Sequence, residues 1–274
     1  VITHGNGPQV GNLLVKNELA ASVVPPVPLD WCGAQTQATI GVLLMNALDR
    51  CLAERGSPVP TAALVSRTLV AADDPGFRNP TKPIGRYLPA ADAELMIGHG
   101  QHWQDRGARG WRRVVASPEP LECLDLPAAR ALLAAGYVVV CSGGGGIPVV
   151  ADGPGSYRGV EAVIDKDLTA ALLATGLGAD RLVIATDVQH VLLDYGTERE
   201  RPIGRIPVGD LQALAAAEAF AGGSMGPKVA AACRFVQATG KPATITALGA
   251  LSGALAGQTG TTVEADVPDN LDLS

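Results

Sequence analysis

The chain has 274 residues, a formal net charge of −6 and an isoelectric point near 5.2. This acidic balance argues against a general nucleic-acid binder, which needs a basic face to displace counterions from the phosphate backbone. Apolar runs stay shorter than the roughly 20 residues of a membrane-spanning helix, so we expect neither a nucleic-acid nor a membrane partner. The five cysteines are scattered without a CxxC pair, which favours a reducing cytoplasm over a disulfide framework or a zinc site.

Helix and strand signals alternate along the chain. Apolar residues at helical spacing predict helices at 10–20, 35–55, 127–135, 168–175, 208–220 and 229–239. Short runs rich in branched residues predict strands at 61–69, 137–141, 181–186 and 242–245. The acidic tail from about residue 261 is predicted to fray. The repeated order of strand, loop and helix predicts a parallel sheet with helices on both faces, and ligands bound beyond the carboxyl ends of its strands.

Residues 73–118 interrupt this alternation. The stretch is irregular and polar, contains Trp103 and Trp111, and allows one short strand at 112–116. A loop of this length without any structure of its own is uncommon. We therefore interpret 73–118 as an insertion or lid within a single domain that covers residues 1–274.

Three glycine-rich segments allow the backbone to approach a ligand closely: HGNGPQ at 4–9, GGGG at 143–146 and GGSMGPK at 222–228. A run of glycines is entropically costly, which indicates that something lies against the backbone, and the amides of a helix start attract anions. Each segment alone is also compatible with a tight turn, a linker or an ordinary helix start. Neither GxGxxG nor GxxxxGK[ST] occurs, so a dinucleotide-dependent oxidoreductase and a P-loop protein lose their main support.

Charged residues stand beside these turns. Lys166 lies between Asp165 and Asp167 at a predicted helix start, where a lysine opposes the helix dipole unless an anion is bound nearby. Three further charged residues occupy predicted loops, strand ends or helix starts: Lys82, Asp187 and Lys228. A helix cap, a surface lysine and a turn aspartate are the ordinary alternatives. Together the cations and carboxylates suit phosphoryl transfer, which is catalysed mainly by positioning and charge stabilisation.

Read in order, these strings closely resemble the carbamate kinases of the amino acid kinase family. The resembling segments cover nearly the whole chain: THGNGPQVGN at 3–12, LD and CGAQTQ within 29–37, PTKPIG at 80–85, SGGGGIP at 142–148, GVEAVIDKD at 159–167, TDV at 186–188 and GSMGPK at 223–228. The longer strings are specific to carbamate kinases. Glycines and aspartates at strand ends are shared by the wider family.

The resemblance implies an αβα sandwich with a mainly parallel central sheet, from which residues 73–118 form a small protruding subdomain. It implies a homodimer that catalyses the reversible reaction of ATP and carbamate to ADP and carbamoyl phosphate with Mg²⁺. The family commonly makes ATP at the end of arginine or purine-derivative breakdown.

The resemblance also implies roles for individual residues. The acceptor site would be lined by Gly5, Asn6, Gly7, Gly144 and Gly145. Lys166 and Lys228 would neutralise the transferring phosphoryl group, and Lys82 would reach over it from the subdomain. Asp167 would orient the lysines by ion pairing. The nucleotide would lie near Thr186, Asp187, Tyr195, Met225, Gly226 and Lys228, and Mg²⁺ would be held mainly by phosphate oxygens rather than by a dedicated protein site.

The start of the chain departs from the family pattern. Carbamate kinases begin with a strand and a Gly-Gly-Asn loop that grips the phosphates, whereas here a strand-like VITH at 1–4 runs directly into the first glycine segment. We therefore expect that an N-terminal segment is missing and that this chain alone has little activity. Two alternatives stay open: another amino acid kinase with a larger acceptor, and a non-catalytic homologue that binds nucleotide or dimerises.

Overall fold

A computed structural model describes residues 1–217, 220 and 225–266. The chain divides into two compact units, Val1–Thr169 and Ala170–Ser274. Within the described ranges, no helix combines the length and the apolarity that crossing a bilayer requires.

The first unit is built on short parallel strands covered by helices. Its elements are α1 (Gly7–Ala20), α2 (Leu29–Glu54), β1 (Thr61–Ala63), β2 (Arg67–Leu69), α3 (Pro75–Arg78), β3 (Lys82–Leu88), α4 (Ala90–Gly98), β4 (Trp103–Asp105), β5 (Trp111–Val115), β6 (Glu122–Cys123), α5 (Leu126–Ala134), β7 (Val138–Val140), β8 (Ile147–Ala151), β9 (Tyr157–Gly159) and the start of α6 (Lys166–Leu177). Strand β1 pairs in parallel with β7, and β2 with β8. The neighbours β6 and β9 pair antiparallel to β2 and β8.

Within residues 73–118, strands β3, β5 and β4 form an antiparallel sheet with β5 in the centre. Helix α4 contributes Met96 to a small apolar core that also contains Leu88 and Trp103, with Trp111 packed against it. This stretch therefore has a sheet and a core of its own. Its interpretation as a lid stays a prediction.

The second unit centres on a four-stranded sheet. Its elements are β10 (Leu182–Thr186), β11 (Leu192–Leu193), β12 (Arg201–Pro202), β13 (Arg205–Pro207), α7 (Val208–Ala216), α8 (Met225–Thr239), β14 (Ala243–Ala247), α9 (Leu251–Leu255) and β15 (Thr261–Glu264). The strand order is β10-β14-β15-β13, with parallel outer pairs and an antiparallel central pair. Helix α8 packs on this sheet, and Phe235, Ile245 and Val263 are fully buried.

Two element predictions are wrong. Residues 61–69 form two strands because the chain changes partner there: the amide of Leu64 still bonds Val140, whereas the carbonyl of Ser66 already bonds Ile147. The chain does not fray from Thr261, because the branched run at 261–263 is buried in β15, as suits such residues in a strand. Residues 267–274 lie outside the described ranges.

Four helices also begin at least two residues earlier than predicted: α1, α2, α6 and α8. Their predicted starts rested on the first periodic apolar residue, whereas the real first turns contain polar residues and glycine. For α6 and α8 this places Lys166 at the first helical position and Lys228 within the first turn.

Candidate active site

A cavity of about 590 Å³ lies in the first unit between α1, β3 and residues 162–164. Asn6 and Gly7 line it at the start of α1, and Gly144 lines it from the glycine loop at 143–146. Lys82 lines it from the first position of β3. Two of the predicted glycine segments and one predicted lysine therefore face the same cavity.

The glycine loop is crowded by the protein's own side chains. A Cβ atom on Gly143 would lie 2.1 Å from Nε2 of His4, and one on Gly144 would lie 2.1 Å from Nδ2 of Asn6. The amide of Gly144 also donates to the carbonyl of His4 at 2.7 Å. Only glycine fits at these positions, so the loop is locked against the segment that begins α1.

Buried polar side chains hold the loop from beneath. The carbonyl of Gly145 accepts hydrogen bonds from the hydroxyls of Thr68 at 2.9 Å and Thr169 at 3.0 Å. The Gln37 amide donates to the carbonyl of Gly143 at 2.9 Å. None of these three polar residues was predicted to have a role. Gln37 belongs to the CGAQTQ string at 32–37, but a buried polar residue carries no sign of its partner in a single sequence.

The acceptor end of the cavity combines a fixed amide with a helix start. Nδ2 of Asn6 donates to Oγ1 of Thr36 at 3.0 Å, and Thr36 donates in turn to the carbonyl of Gly33 at 2.8 Å. Asn6 is the N-cap of α1 but makes no side-chain capping hydrogen bond. Helix-start amides attract anions, so this end suits a small carboxylate-like acceptor.

Lys166 is held over the first glycine segment. Its Nζ donates to Oδ1 of Asp167 at 2.7 Å. A Cβ atom on Gly5 would lie 3.5 Å from its Cδ, so the lysine stem passes over Gly5. The neighbouring Asp165 caps α6, because its Oδ1 accepts from the amide of Asp167 at 2.9 Å. The ordinary cap interpretation is thus correct for Asp165, whereas Asp167 pairs with the lysine.

Lys82 approaches the same group of charges. Its Nζ lies 3.9 Å from Oδ2 of Asp165 and 3.4 Å from Oγ of Ser117. Burial lowers the pKa of Lys82 below its ordinary value. The carboxylates of Asp165 and Asp167 oppose that shift, and the nearby charge of Lys166 adds to it. Two ammonium groups therefore lie close enough to influence each other, an arrangement that an anion between them would stabilise.

The second unit holds the residues predicted to contact nucleotide. Thr186 ends β10, and its hydroxyl donates to Oδ1 of the following Asp187 at 2.9 Å. The side chain of Tyr195 is exposed. Helix α8 begins with Met225 and Gly226, and Lys228 in its first turn is buried. The predicted cap Ser224 and the glycines at 222 and 223 lie outside the described ranges. Among the described residues, no group of three His, Cys, Asp or Glu side chains is arranged to hold a metal ion.

Comparisons with known proteins identify the family to which the chain belongs. Residues 1–247 match the model of the amino acid kinase family. The chain is 42% identical to a carbamate kinase of Trichomonas vaginalis, over 96% of this chain and 85% of that protein. It is 43% identical to a carbamate kinase of Thermococcus kodakarensis, over 96% of this chain and 84% of that protein.

A solved carbamate kinase from Giardia lamblia bound to AMP-PNP has a TM-score of 0.90 and 41% identity to this chain, covering 96% of this chain and 84% of that one. This similarity confirms the α/β fold class predicted from the sequence, that of the carbamate kinase-like αβα sandwich.

The crowding at Gly144 predicts a position-specific effect of adding one methyl group. Gly144→Ala forces a Cβ atom into the Asn6 amide. Gly155→Ala is the control, because the φ of +69° at Gly155 is close to the +67° of Gly144, and a Cβ atom added there meets only open space. Both variants carry the strain of a positive φ, which costs about 1 kcal/mol, but only the first also displaces Asn6. Urea unfolding should show a clearly larger loss of stability for Gly144→Ala. Equal losses for the two variants contradict the proposed contact.

Proposed function

We propose that this chain, which belongs to the amino acid kinase family and within it to the carbamate kinases, catalyses the reversible transfer of a phosphoryl group from ATP to carbamate. The products are ADP and carbamoyl phosphate. The observation that carries the proposal is the single cavity at which Asn6 and Gly7, the glycine loop and the cationic Lys82 meet.

In the forward step, a carbamate oxygen attacks the γ-phosphorus while the bond to the β,γ-bridging oxygen breaks, so no proton has to move in this step. The acceptor lies at the start of α1 beside Asn6, Gly7 and the loop glycines Gly144 and Gly145. Lys82 and Lys166 stabilise the negative charge on the transferring group, which is the main catalytic requirement of phosphoryl transfer. Asp167 holds Lys166 in place through their 2.7 Å contact.

The remaining assignments follow from the family resemblance. Lys228 would also neutralise the phosphoryl group, and its burial near the start of α8 suits a charged group that binds an anion. Thr186 and Asp187, with Tyr195, Met225 and Gly226, would contact the nucleotide. Mg²⁺ would arrive with the nucleotide, bound chiefly by phosphate oxygens as this ion usually is.

A homodimer and a cytoplasmic location belong to the same proposal. Helix α2 leaves three large apolar side chains exposed, Trp31, Val42 and Leu43, and exposed apolar patches often mark association surfaces. All five cysteines are unpaired, as expected in a reducing compartment. Sedimentation equilibrium tests the assembly: a single-chain mass for the protein in solution contradicts the dimer. Use of the reaction to make ATP in arginine or purine-derivative breakdown stays a prediction.

The substrate assignment is tested with the protein as its gene encodes it. ATP formation from ADP is measured with carbamoyl phosphate, acetyl phosphate and acetylglutamyl phosphate. We expect turnover with carbamoyl phosphate and far slower turnover with acetylglutamyl phosphate, whose acyl group is larger. Preference for acetylglutamyl phosphate would favour another amino acid kinase, and nucleotide binding without turnover would favour a non-catalytic homologue.

The lysine roles predict large losses of turnover. Lys166→Ala and Lys228→Ala should each reduce kcat by roughly 100-fold or more, as does removal of other groups that stabilise transition-state charge. Lys16→Ala removes an exposed lysine from α1 and should leave kcat unchanged. Circular dichroism checks folding, and near-normal turnover in a folded Lys166 or Lys228 variant contradicts the role assigned to that residue.

The lowered pKa of Lys82 predicts an alkaline limit of activity. A lysine is charged below its pKa, so charge stabilisation by Lys82 is complete at lower pH and is lost as the pH rises through a value below the ordinary 10.5. Lys82→Arg keeps a cation that does not titrate in this range, so its kcat should no longer decline at that pH. A pH profile with the same decline in both proteins shows that another group is responsible.

A further inference from the structure

Glu161 joins three segments of the first unit through one carboxylate. Its Oε1 accepts a hydrogen bond of 2.8 Å from the amide of Leu29, the first residue of α2. Its Oε2 pairs with the guanidinium of Arg113 in β5. Because Pro28 at the N-cap makes no side-chain capping bond, this carboxylate from a distant segment satisfies an amide at the positive end of the helix dipole.

The segment that follows Glu161 is a wall of the cavity. Residues 162–164 line it. The amide of Val163 donates to the carbonyl of Ala116 at 3.0 Å, and Oγ of Ser117 donates to the carbonyl of Val163 at 2.9 Å. The wall is therefore attached to β5 and its extension, with the ion pair at one end and Ser117 at the other.

Strand β5 also pairs with β3, the strand that begins with Lys82. In the register of the pair, Lys82 lies opposite Val115, and Ile84 lies opposite Arg113. Nζ of Lys82 approaches Oγ of Ser117 at 3.4 Å. A shift of β5 relative to the cavity wall therefore moves the Lys82 ammonium group relative to the cavity.

The guanidinium of Arg113 depends on Glu161 for compensation. The Arg113 side chain is only 5% exposed, and its Nε has no hydrogen-bond partner. Glu161 itself is half-exposed, but removing its charge leaves the buried guanidinium without its carboxylate partner, which is unfavourable. Loss of the carboxylate charge should therefore displace β5 or admit water beside it.

We propose that Glu161 is a positioning residue for the phosphoryl transfer, which holds Arg113 and the start of α2 together and thereby fixes Lys82 over the acceptor end of the cavity. The kinetic part of this inference rests on the proposed function. The part that concerns the position of Lys82 rests on the contacts alone.

Glu161→Gln tests both parts, because glutamine keeps an acceptor for the Leu29 amide and removes the charge. We expect kcat to fall about 10-fold to 100-fold, as for a catalytic group displaced by about an ångström, with little change in the KM for ADP. Lys82 should become more exposed, so that its pKa rises towards the ordinary value. The pH dependence of amine acylation at Lys82, followed by mass spectrometry, measures this without any turnover. The charges that act on Lys82 are Asp165, Lys166 and Asp167, and the variant changes none of them.

The chain offers a matched control in Asp125. This carboxylate likewise accepts from a backbone amide, that of Arg67 at 2.7 Å, and pairs with the Arg67 guanidinium at 2.8 Å, but neither residue lines the cavity. Asp125→Asn should leave both kcat and the acylation profile of Lys82 unchanged. An unchanged profile in Glu161→Gln, or the same change in both variants, overturns the proposal.

If Glu161→Gln does not fold, Glu161→Asp keeps the charge and shortens its reach; a Lys82 profile shifted in the same direction supports the proposal, and an unshifted profile overturns it. If the unmodified protein shows no turnover with carbamoyl phosphate, the proposed function fails, while a shifted Lys82 profile in Glu161→Gln still supports the positioning role.

Discussion

The site depends on a stretch of backbone that leaves no room for side chains. Between β7 and β8, each of the four glycines at 143–146 would bring a Cβ atom to within 2.6 Å of another group. Gly143 and Gly144 press against His4 and Asn6, and Gly145 presses against the carbonyl of Ile164. These three close contacts bring the start of α1, the glycine loop and the segment before α6 around one cavity. Hydrogen bonds beneath the loop satisfy its carbonyls, as buried backbone groups require.

The second constraint is electrostatic. Lys82 and Lys166 lie near one another, with Asp165 and Asp167 as the carboxylates that offset their repulsion. Asp165 caps α6 and Asp167 holds Lys166, so each carboxylate also has a local structural task. Positive charge held in place in this way needs no rearrangement when negative charge develops on a transferring group, which is the preorganisation that phosphoryl transfer uses. Glu161 would extend the same principle by fixing the strand that carries Lys82.

The sequence predicted the alternation of elements and the grouping of two of the three glycine segments, at 4–9 and 143–146, with Lys82, because strand ends and glycine runs leave local signals. The cost of four glycines indicated that something lies against the backbone. That expectation was right, because the protein's own His4, Asn6 and Thr68 lie against the loop.

Other features left no local signal. The partner of Gln37 lies 106 residues away and the partner of Leu29 lies 132 residues away, and spacing along the chain does not reveal either. The break at 64–66 arises from a change of strand partner, and β15 lies between a glycine-rich segment and an acidic tail. The break depends on pairing in three dimensions rather than on propensity, whereas the branched residues at 261–263 were a local strand signal that the surrounding glycines and acidic residues obscured.

A crystal structure of the protein with Mg²⁺, ADP and an unreactive analogue of carbamoyl phosphate tests the central claim most directly. The account predicts the acyl group beside Asn6 and Gly7, with Nζ of Lys82 and of Lys166 within hydrogen-bonding distance of the phosphoryl oxygens. Binding of the analogue outside this cavity, or a phosphoryl group that neither lysine contacts, would contradict it.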